Sequence, residues 1–182
     1  MVAGNARPEG RAGLGRTLAI AALVVVAVWV GSNLFRGRTL PAGAAAPAFE
    51  VQLADGSGRT VSLADLSGQV VVLDFWATTC PPCLRQMEGL ETLHRRLKER
   101  GVAVLGVSVG GEGADDIAAF AKRRNVGYPM AVDDGAAAQA YRVAALPTLY
   151  VIGRDGRIVN GEVGYAPPEA IEEQVGKALG KK

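Results

Sequence analysis

The feature that most restricts the fold of this 182-residue chain is its single pair of cysteines, Cys80 and Cys83, which enclose two prolines. The preceding run, residues 70–76, is β-branched and apolar apart from Asp74, as in a strand buried on both faces. After the pair, apolar residues recur with helical spacing up to residue 100: Met87, Leu90, Leu93 and Leu97. The pair therefore falls at a strand-to-helix junction, where free backbone N–H groups and the helix dipole favour a thiolate.

Two cysteines at this spacing can close a disulfide within about one helical turn. We assign Cys80 as the nucleophile that attacks a substrate disulfide and Cys83 as the buried thiol that resolves the mixed disulfide. A structural disulfide and a zinc or copper site are the alternatives. The loop closed by such a disulfide is too small to stabilise the chain much. His94 lies about 16 Å along the helix from Cys83, too far to complete a metal site.

The rest of the chain alternates strand and helix patterns. They predict a hairpin over 49–63, a strand over 102–109, a helix over 114–125, a weaker strand and helix, a hairpin over 147–163, and a closing helix over 169–179. Parallel βαβ units followed by an antiparallel hairpin predict an α/β fold, with a mixed central sheet flanked by helices and an N-terminal β-hairpin.

The N-terminal segment has the character of a membrane span. Residues 17–35 are uncharged and number 19, about 28 Å as a helix, close to the thickness of the hydrocarbon core. We predict a transmembrane anchor with residues 1–16 in the cytoplasm. A cleaved signal peptide is the alternative, because small residues follow at 42–46. Residues 36–46 are predicted to be a linker, and residues 47–182 the folded domain.

Charge is unevenly distributed along the chain. Five arginines and one glutamate give residues 1–46 a net charge of +4, whereas the remainder carries 15 basic and 17 acidic residues, a net charge of −2. The overall charge of +2 therefore arises from the segment that flanks the apolar run. We predict no nucleic-acid partner, since the domain has no excess of basic residues.

The stretch VVLDFWATTCPPC, residues 71–83, resembles the active-site segment of thioredoxin-fold proteins. More narrowly, it resembles the membrane-tethered TlpA/ResA-type thiol–disulfide oxidoreductases. The segments VSLADLSG (61–68) and VAALPTLYVI (143–152) are similar to the same family, so the resemblance spans roughly residues 47–180. It implies a thioredoxin-like fold, a redox-active Cys80–Cys83 disulfide with no further cofactor, and a monomer.

The resemblance also implies further site residues. Pro147 is expected as a cis-proline opposite the disulfide, with the backbone of Leu146 ready to pair with an extended substrate; an ordinary trans-proline is the alternative. Asp74 matches a buried acid of thioredoxins. A lone buried carboxyl has a raised pKa, so we expect proton transfer to the thiols, unless Asp74 is merely tolerated or partnered. Trp76 is expected to cover the disulfide, a core position being the alternative.

Two positions depart from the family pattern. Thr79 stands where a second tryptophan usually precedes the first cysteine, which removes an aromatic shield from the substrate surface. Gln86 stands where many relatives carry a glutamate. With no carboxylate at that position, the acid–base work is expected to depend more heavily on Asp74.

The resemblance further implies a reductant of protein disulfides in cytochrome c maturation, acting on the CxxCH cysteines of apocytochrome c. We expect a membrane thiol relay to re-reduce it. Its expected location is the bacterial inner membrane, crossed once, with the domain facing the periplasm or cell exterior. Copper-delivery or oxidase-assembly proteins are alternative substrates. An oxidative disulfide-forming catalyst and a metal-carrying module are alternative functions. A peroxidase fits less well, because Ala77 stands where peroxidases of this fold carry threonine or serine.

Overall fold

The computed structural model describes residues 20–27 and 39–180. Residues 20–27 form a helix with exposed apolar side chains. The rest of the predicted anchor and the predicted cytoplasmic segment, residues 1–16, lie outside the described residues. Neither this helix nor any other within 20–27 and 39–180 combines the length and the apolar character that crossing a membrane requires.

The folded domain is built on a seven-stranded sheet with the order β2-β1-β5-β4-β3-β6-β7. The strands are β1 (Glu50–Leu53), β2 (Thr60–Ser62), β3 (Val70–Trp76), β4 (Val102–Ser108), β5 (Met130–Val132), β6 (Thr148–Ile152) and β7 (Ile158–Val163). Strand β4 runs parallel to β3 and β5, whereas every other pairing is antiparallel. The sheet is therefore mixed, which confirms the predicted α/β fold.

Four α-helices belong to this domain: α1 (Pro81–Leu97), α2 (Ala114–Arg124), α3 (Ala136–Ala140) and α4 (Pro168–Gly180). Helices α1, α2 and α4 contribute to the apolar core on one face of the sheet, and α3 to the core on the other. All seven residues of β3 are buried. Because successive strand residues point to opposite faces, Asp74 shares the α1 face with Val72 and Trp76.

The segment before residue 47 differs from its predicted role as a linker. The second compact unit of the chain begins at Thr39. Gly43 N donates to Ile158 O at 2.8 Å, Ile158 N donates to Ala44 O at 2.9 Å, and Ala46 N donates to Gly156 O at 2.9 Å. Backbone pairing needs no side-chain periodicity, so a segment rich in alanine and glycine can extend a sheet without a pattern in its sequence.

Candidate active site

The two cysteines form a disulfide at the start of α1, with an S–S distance of 1.98 Å. Cys80 caps the helix, and its Sγ accepts a hydrogen bond from Cys83 N at 3.3 Å. Proline at the first helical positions costs no hydrogen bond, because those N–H groups have no partner within the helix. Cys80 is half-buried and Cys83 is fully buried. The arrangement leaves Cys80 as the sulfur that a substrate can reach.

The Leu146–Pro147 peptide bond is cis, the geometry that the resemblance implies. Leu146 is half-buried and packs, like Cys80, against the apolar core on the α1 face. Pro147 O accepts a hydrogen bond from Gly164 N at 2.8 Å. This bond fixes the end of β7 beside the proline. The proposed pairing of Leu146 with an extended substrate stays a prediction.

Asp74 is fully buried in the centre of β3. Burial raises its pKa from the ordinary value of 3.8 to about 7, against the opposing effect of a hydrogen bond from Gln86. Gln86 Nε2 donates to Asp74 Oδ1 at 2.7 Å. Asp74 Oδ2 has no hydrogen-bond partner among the described residues. A carboxyl group with a pKa near 7 can both take and give a proton at neutral pH.

Trp76 lies in the core, which is the alternative to the expected position over the disulfide. Its side chain is fully buried and packs against Phe120, with 5.1 Å between ring centroids. Since β3 is buried on both faces, either orientation of this side chain leads into a core. Trp76 therefore belongs to the apolar core that also contains Cys83.

Glu112, which the sequence did not indicate as a site residue, holds the loop before Cys80 by hydrogen bonds. Its carboxylate accepts hydrogen bonds from Thr78 N at 3.2 Å, from the Thr78 hydroxyl, and from Ser108 Oγ at 2.8 Å. Burial acts to raise the pKa of Glu112, but the bonds from Thr78 and Ser108 outweigh it and lower that pKa. The ionised carboxylate thus fixes the chain two residues ahead of the nucleophile. No local sequence pattern links positions 78 and 112.

An exposed apolar surface adjoins Pro147. Within residues 39–180, the exposed large hydrophobic side chains are Val163 and Tyr165, at 40% and 43% exposure. The Arg85 guanidinium lies 5.3 Å from the centroid of the Tyr165 ring. Because Gly164 N bonds to Pro147, both apolar side chains are held near the cis peptide. Such a surface can contact a polypeptide around its disulfide.

In the ranges that the structure describes, no three His, Cys, Asp or Glu side chains converge as a metal site would require. His94 instead packs edge-on against Tyr128, with 6.2 Å between ring centroids.

Comparisons with known proteins agree with this site. Residues 42–160 match the model of the AhpC/TSA family. Thiol-disulfide oxidoreductase ResA from Halalkalibacterium halodurans is 35% identical over 156 residues, covering 83% of this chain and 88% of that protein. ResA from Bacillus subtilis is 32% identical over 142 residues, covering 77% and 78%. The crystal structure of a protein described as a DsbE-type thiol:disulfide interchange protein from Chlorobium tepidum superposes with a TM-score of 0.71, at 32% identity, over 78% of this chain and 100% of that one.

The mixed sheet, the disulfide at the start of α1 and the cis-proline define a thioredoxin-like thiol–disulfide oxidoreductase. The chain belongs to the AhpC/TSA family, and within it to the ResA/DsbE type of thiol–disulfide oxidoreductase.

Proposed function

We propose that this oxidoreductase reduces protein disulfides outside the cytoplasm, held at the bacterial inner membrane by residues 17–35, and that its substrates include the CxxCH cysteines of apocytochrome c. One observation supports a polypeptide substrate above all: Cys80 is half-buried at the start of α1, and Arg85 of the same helix contacts the ring of the exposed Tyr165. The uncharged 19-residue run and its arginine flanks support the membrane location.

The reaction proceeds by two exchanges between sulfur atoms. The Cys80 thiolate attacks one sulfur of the substrate disulfide, forming a mixed disulfide and releasing the other substrate sulfur as a thiolate. Cys83 then gives its proton to the Asp74 carboxylate and attacks Cys80 Sγ. The Cys80–Cys83 disulfide forms, and the second substrate thiolate leaves. Two electrons pass to the substrate, so a dithiol relay in the membrane must return two electrons before the next cycle.

Capture of mixed disulfides tests both the activity and the substrate. Cys83→Ala leaves Cys80 able to attack but removes the resolving thiol, so substrates should accumulate covalently on Cys80 in the native membrane. The variant that lacks both cysteines is the matched control and should capture nothing. We expect c-type apocytochromes among the proteins released by reductant and identified by mass spectrometry. If other disulfide proteins are captured and apocytochromes never are, the role in cytochrome c maturation is wrong while the reductase activity stands.

A further inference from the structure

The side chain of Gln86 joins three elements of the domain. It lies in α1, three residues after Cys83, and is 1% exposed. Gln86 Nε2 donates to Asp74 Oδ1 in β3 at 2.7 Å, and Gln86 Oε1 accepts from Ala166 N, just before α4, at 2.9 Å. Both bonds are buried and span long separations in the sequence.

The bond from Ala166 fixes the orientation of the Gln86 amide. A backbone N–H can only donate, so the group that faces Ala166 N must be the carbonyl oxygen of the glutamine. The amide nitrogen is thereby turned toward Asp74. This assignment follows from hydrogen-bond chemistry, because the reversed amide would set two donors against each other at Ala166.

The fixed amide also determines which oxygen of Asp74 can carry a proton. Gln86 Nε2 can only donate, so Asp74 Oδ1 must accept in both the ionised and the protonated state. A proton on Asp74 therefore resides on Oδ2. Among the described residues, no group donates to or accepts from Oδ2.

The groups around Asp74 can be named from each packed element. Three of them are titratable in the reduced protein and pack on the same face of the sheet: Cys80 and Cys83 at the start of α1, and Tyr128 from the segment before β5. The residues paired with Asp74 on the neighbouring strands are Gly106 in β4 and Leu149 in β6, neither of which titrates. Tyr128 is buried, and burial and the Asp74 charge both raise its pKa well above 10, so it stays neutral. In the mixed disulfide Cys80 Sγ is bonded to the substrate and carries no proton, so Cys83 is the group on this face whose proton the reaction requires Asp74 to accept.

We propose that Gln86 is a positioning residue for the exchange reaction, holding Asp74 so that Oδ2 is the oxygen that receives the Cys83 proton. The inference rests on the proposed acid–base role of Asp74. In this step the Cys83 S–H bond breaks and an O–H bond forms at Asp74 Oδ2, without electron transfer. The electron pair moves in the next step, when the Cys83 thiolate attacks Cys80 Sγ.

Infrared titration of the Asp74 carboxyl in the full chain, purified in detergent, tests the first part of the inference. The protonated carboxyl is observed as the difference between the wild type and Asp74→Asn over a range of pH. Gln86→Leu removes the donor that favours the carboxylate, so the midpoint should rise by about one pH unit. Gln86→Glu keeps an acceptor for Ala166 but sets a second carboxyl against Oδ1. The two carboxyl groups then share one proton, so the pair should lose this proton at a pH at least about one unit above the wild-type midpoint of Asp74.

The second measurement is the rate at which Cys83 resolves a preformed mixed disulfide, followed against pH. At pH 7 both Gln86 variants should be about fivefold slower than the wild type, and the difference should disappear near pH 9, where Asp74 is ionised in all of them. A purely structural role would lower the rate equally at every pH. Glu88→Gln, an exposed change on the same helix, is the control and should move neither the midpoint nor the rate.

The possible results separate the role of Gln86 from that of Asp74. Midpoints of both folded variants within about half a pH unit of the wild type would overturn the inference. If Gln86→Leu does not fold, Gln86→Glu, which preserves the shape and the bond from Ala166, decides alone. An Asp74→Asn variant whose resolution rate keeps the wild-type pH profile would overturn the acid–base role of Asp74 itself. The two failures can be told apart: the pH profile of Asp74→Asn tests the role of Asp74, whereas the carboxyl midpoint in the Gln86 variants tests the role of Gln86.

Discussion

Replacing Asp74 by asparagine should make the oxidised protein more stable at pH 8 and leave its stability near pH 4 almost unchanged. Burial raises the pKa of Asp74 from 3.8 to about 7 in the folded chain. Between these values the unfolded chain releases the proton while the folded chain retains it, so the free energy of unfolding falls as pH rises. The loss begins near pH 4 and is complete above pH 7.

The size of this loss follows from the shift in pKa. About three pH units at about 1.4 kcal/mol per unit amount to about 4 kcal/mol. Asparagine is neutral at every pH, and its carbonyl oxygen can still accept from Gln86 Nε2. The variant should therefore exceed the wild type by up to about 4 kcal/mol at pH 8 and differ by less than about 1 kcal/mol at pH 4.

Urea unfolding of both proteins at pH 4, 6 and 8 measures these differences, provided that the m-values agree. At each pH, the difference between the two free energies of unfolding removes the contribution of the carboxyl groups that both proteins share. Glu88→Gln, which alters an exposed acid, should give differences below about 0.5 kcal/mol throughout. A gap between wild type and Asp74→Asn of the same size at pH 4 and pH 8 would refute the reasoning.

Three further changes test other parts of the site. Gly106→Ala places a Cβ 2.6 Å from Met130 Sδ, so urea unfolding should detect a loss of about 1–3 kcal/mol; a loss below about 0.5 kcal/mol would contradict the packing. Glu112→Gln removes one of two acceptor oxygens and the charge, so the Thr78 amide should exchange its hydrogen about tenfold faster. An unchanged exchange rate would show that Glu112 does not hold this loop. Tyr165→Ser should raise KM for insulin reduction while leaving reduction of a small aromatic disulfide unaltered; equal effects on both would exclude a polypeptide-binding role.

Much of the fold could be predicted because its main elements carry uninterrupted apolar patterns. Strand β3 has the predicted bounds, Val70–Trp76. Helix α1 begins at Pro81 as predicted but ends at Leu97, and the last three residues of the predicted helix, Lys98–Arg100, form a 3₁₀ helix. Gly101 follows at φ 77°, a conformation that favours glycine and ends the helix.

The polar contacts of the site could not be predicted in the same way. Gln86 and Ala166 are 80 positions apart, and Thr78 and Glu112 are 34 apart. A single hydrogen bond between distant elements leaves no periodic signal in the sequence. The sequence showed only that Gln86 departs from the family pattern. Its hydrogen-bond partners, Asp74 and Ala166, are known from the structure. The face of β3 that holds Trp76 could not be predicted, because a run of apolar residues on both faces carries no pattern that distinguishes one face from the other.

The pairing of residues 43–46 with Gly156, Arg157 and Ile158, at the start of β7, bears on how the domain can be prepared apart from its N-terminus. A recombinant fragment that began at Pro47, where the patterned sequence starts, would leave Gly156 and Ile158 with unpaired backbone groups along an open strand edge. Open edges recruit other chains, so such a fragment should precipitate or form oligomers. A fragment that begins at Thr39 keeps residues 43–46 paired with this strand edge and should remain monodisperse in gel filtration.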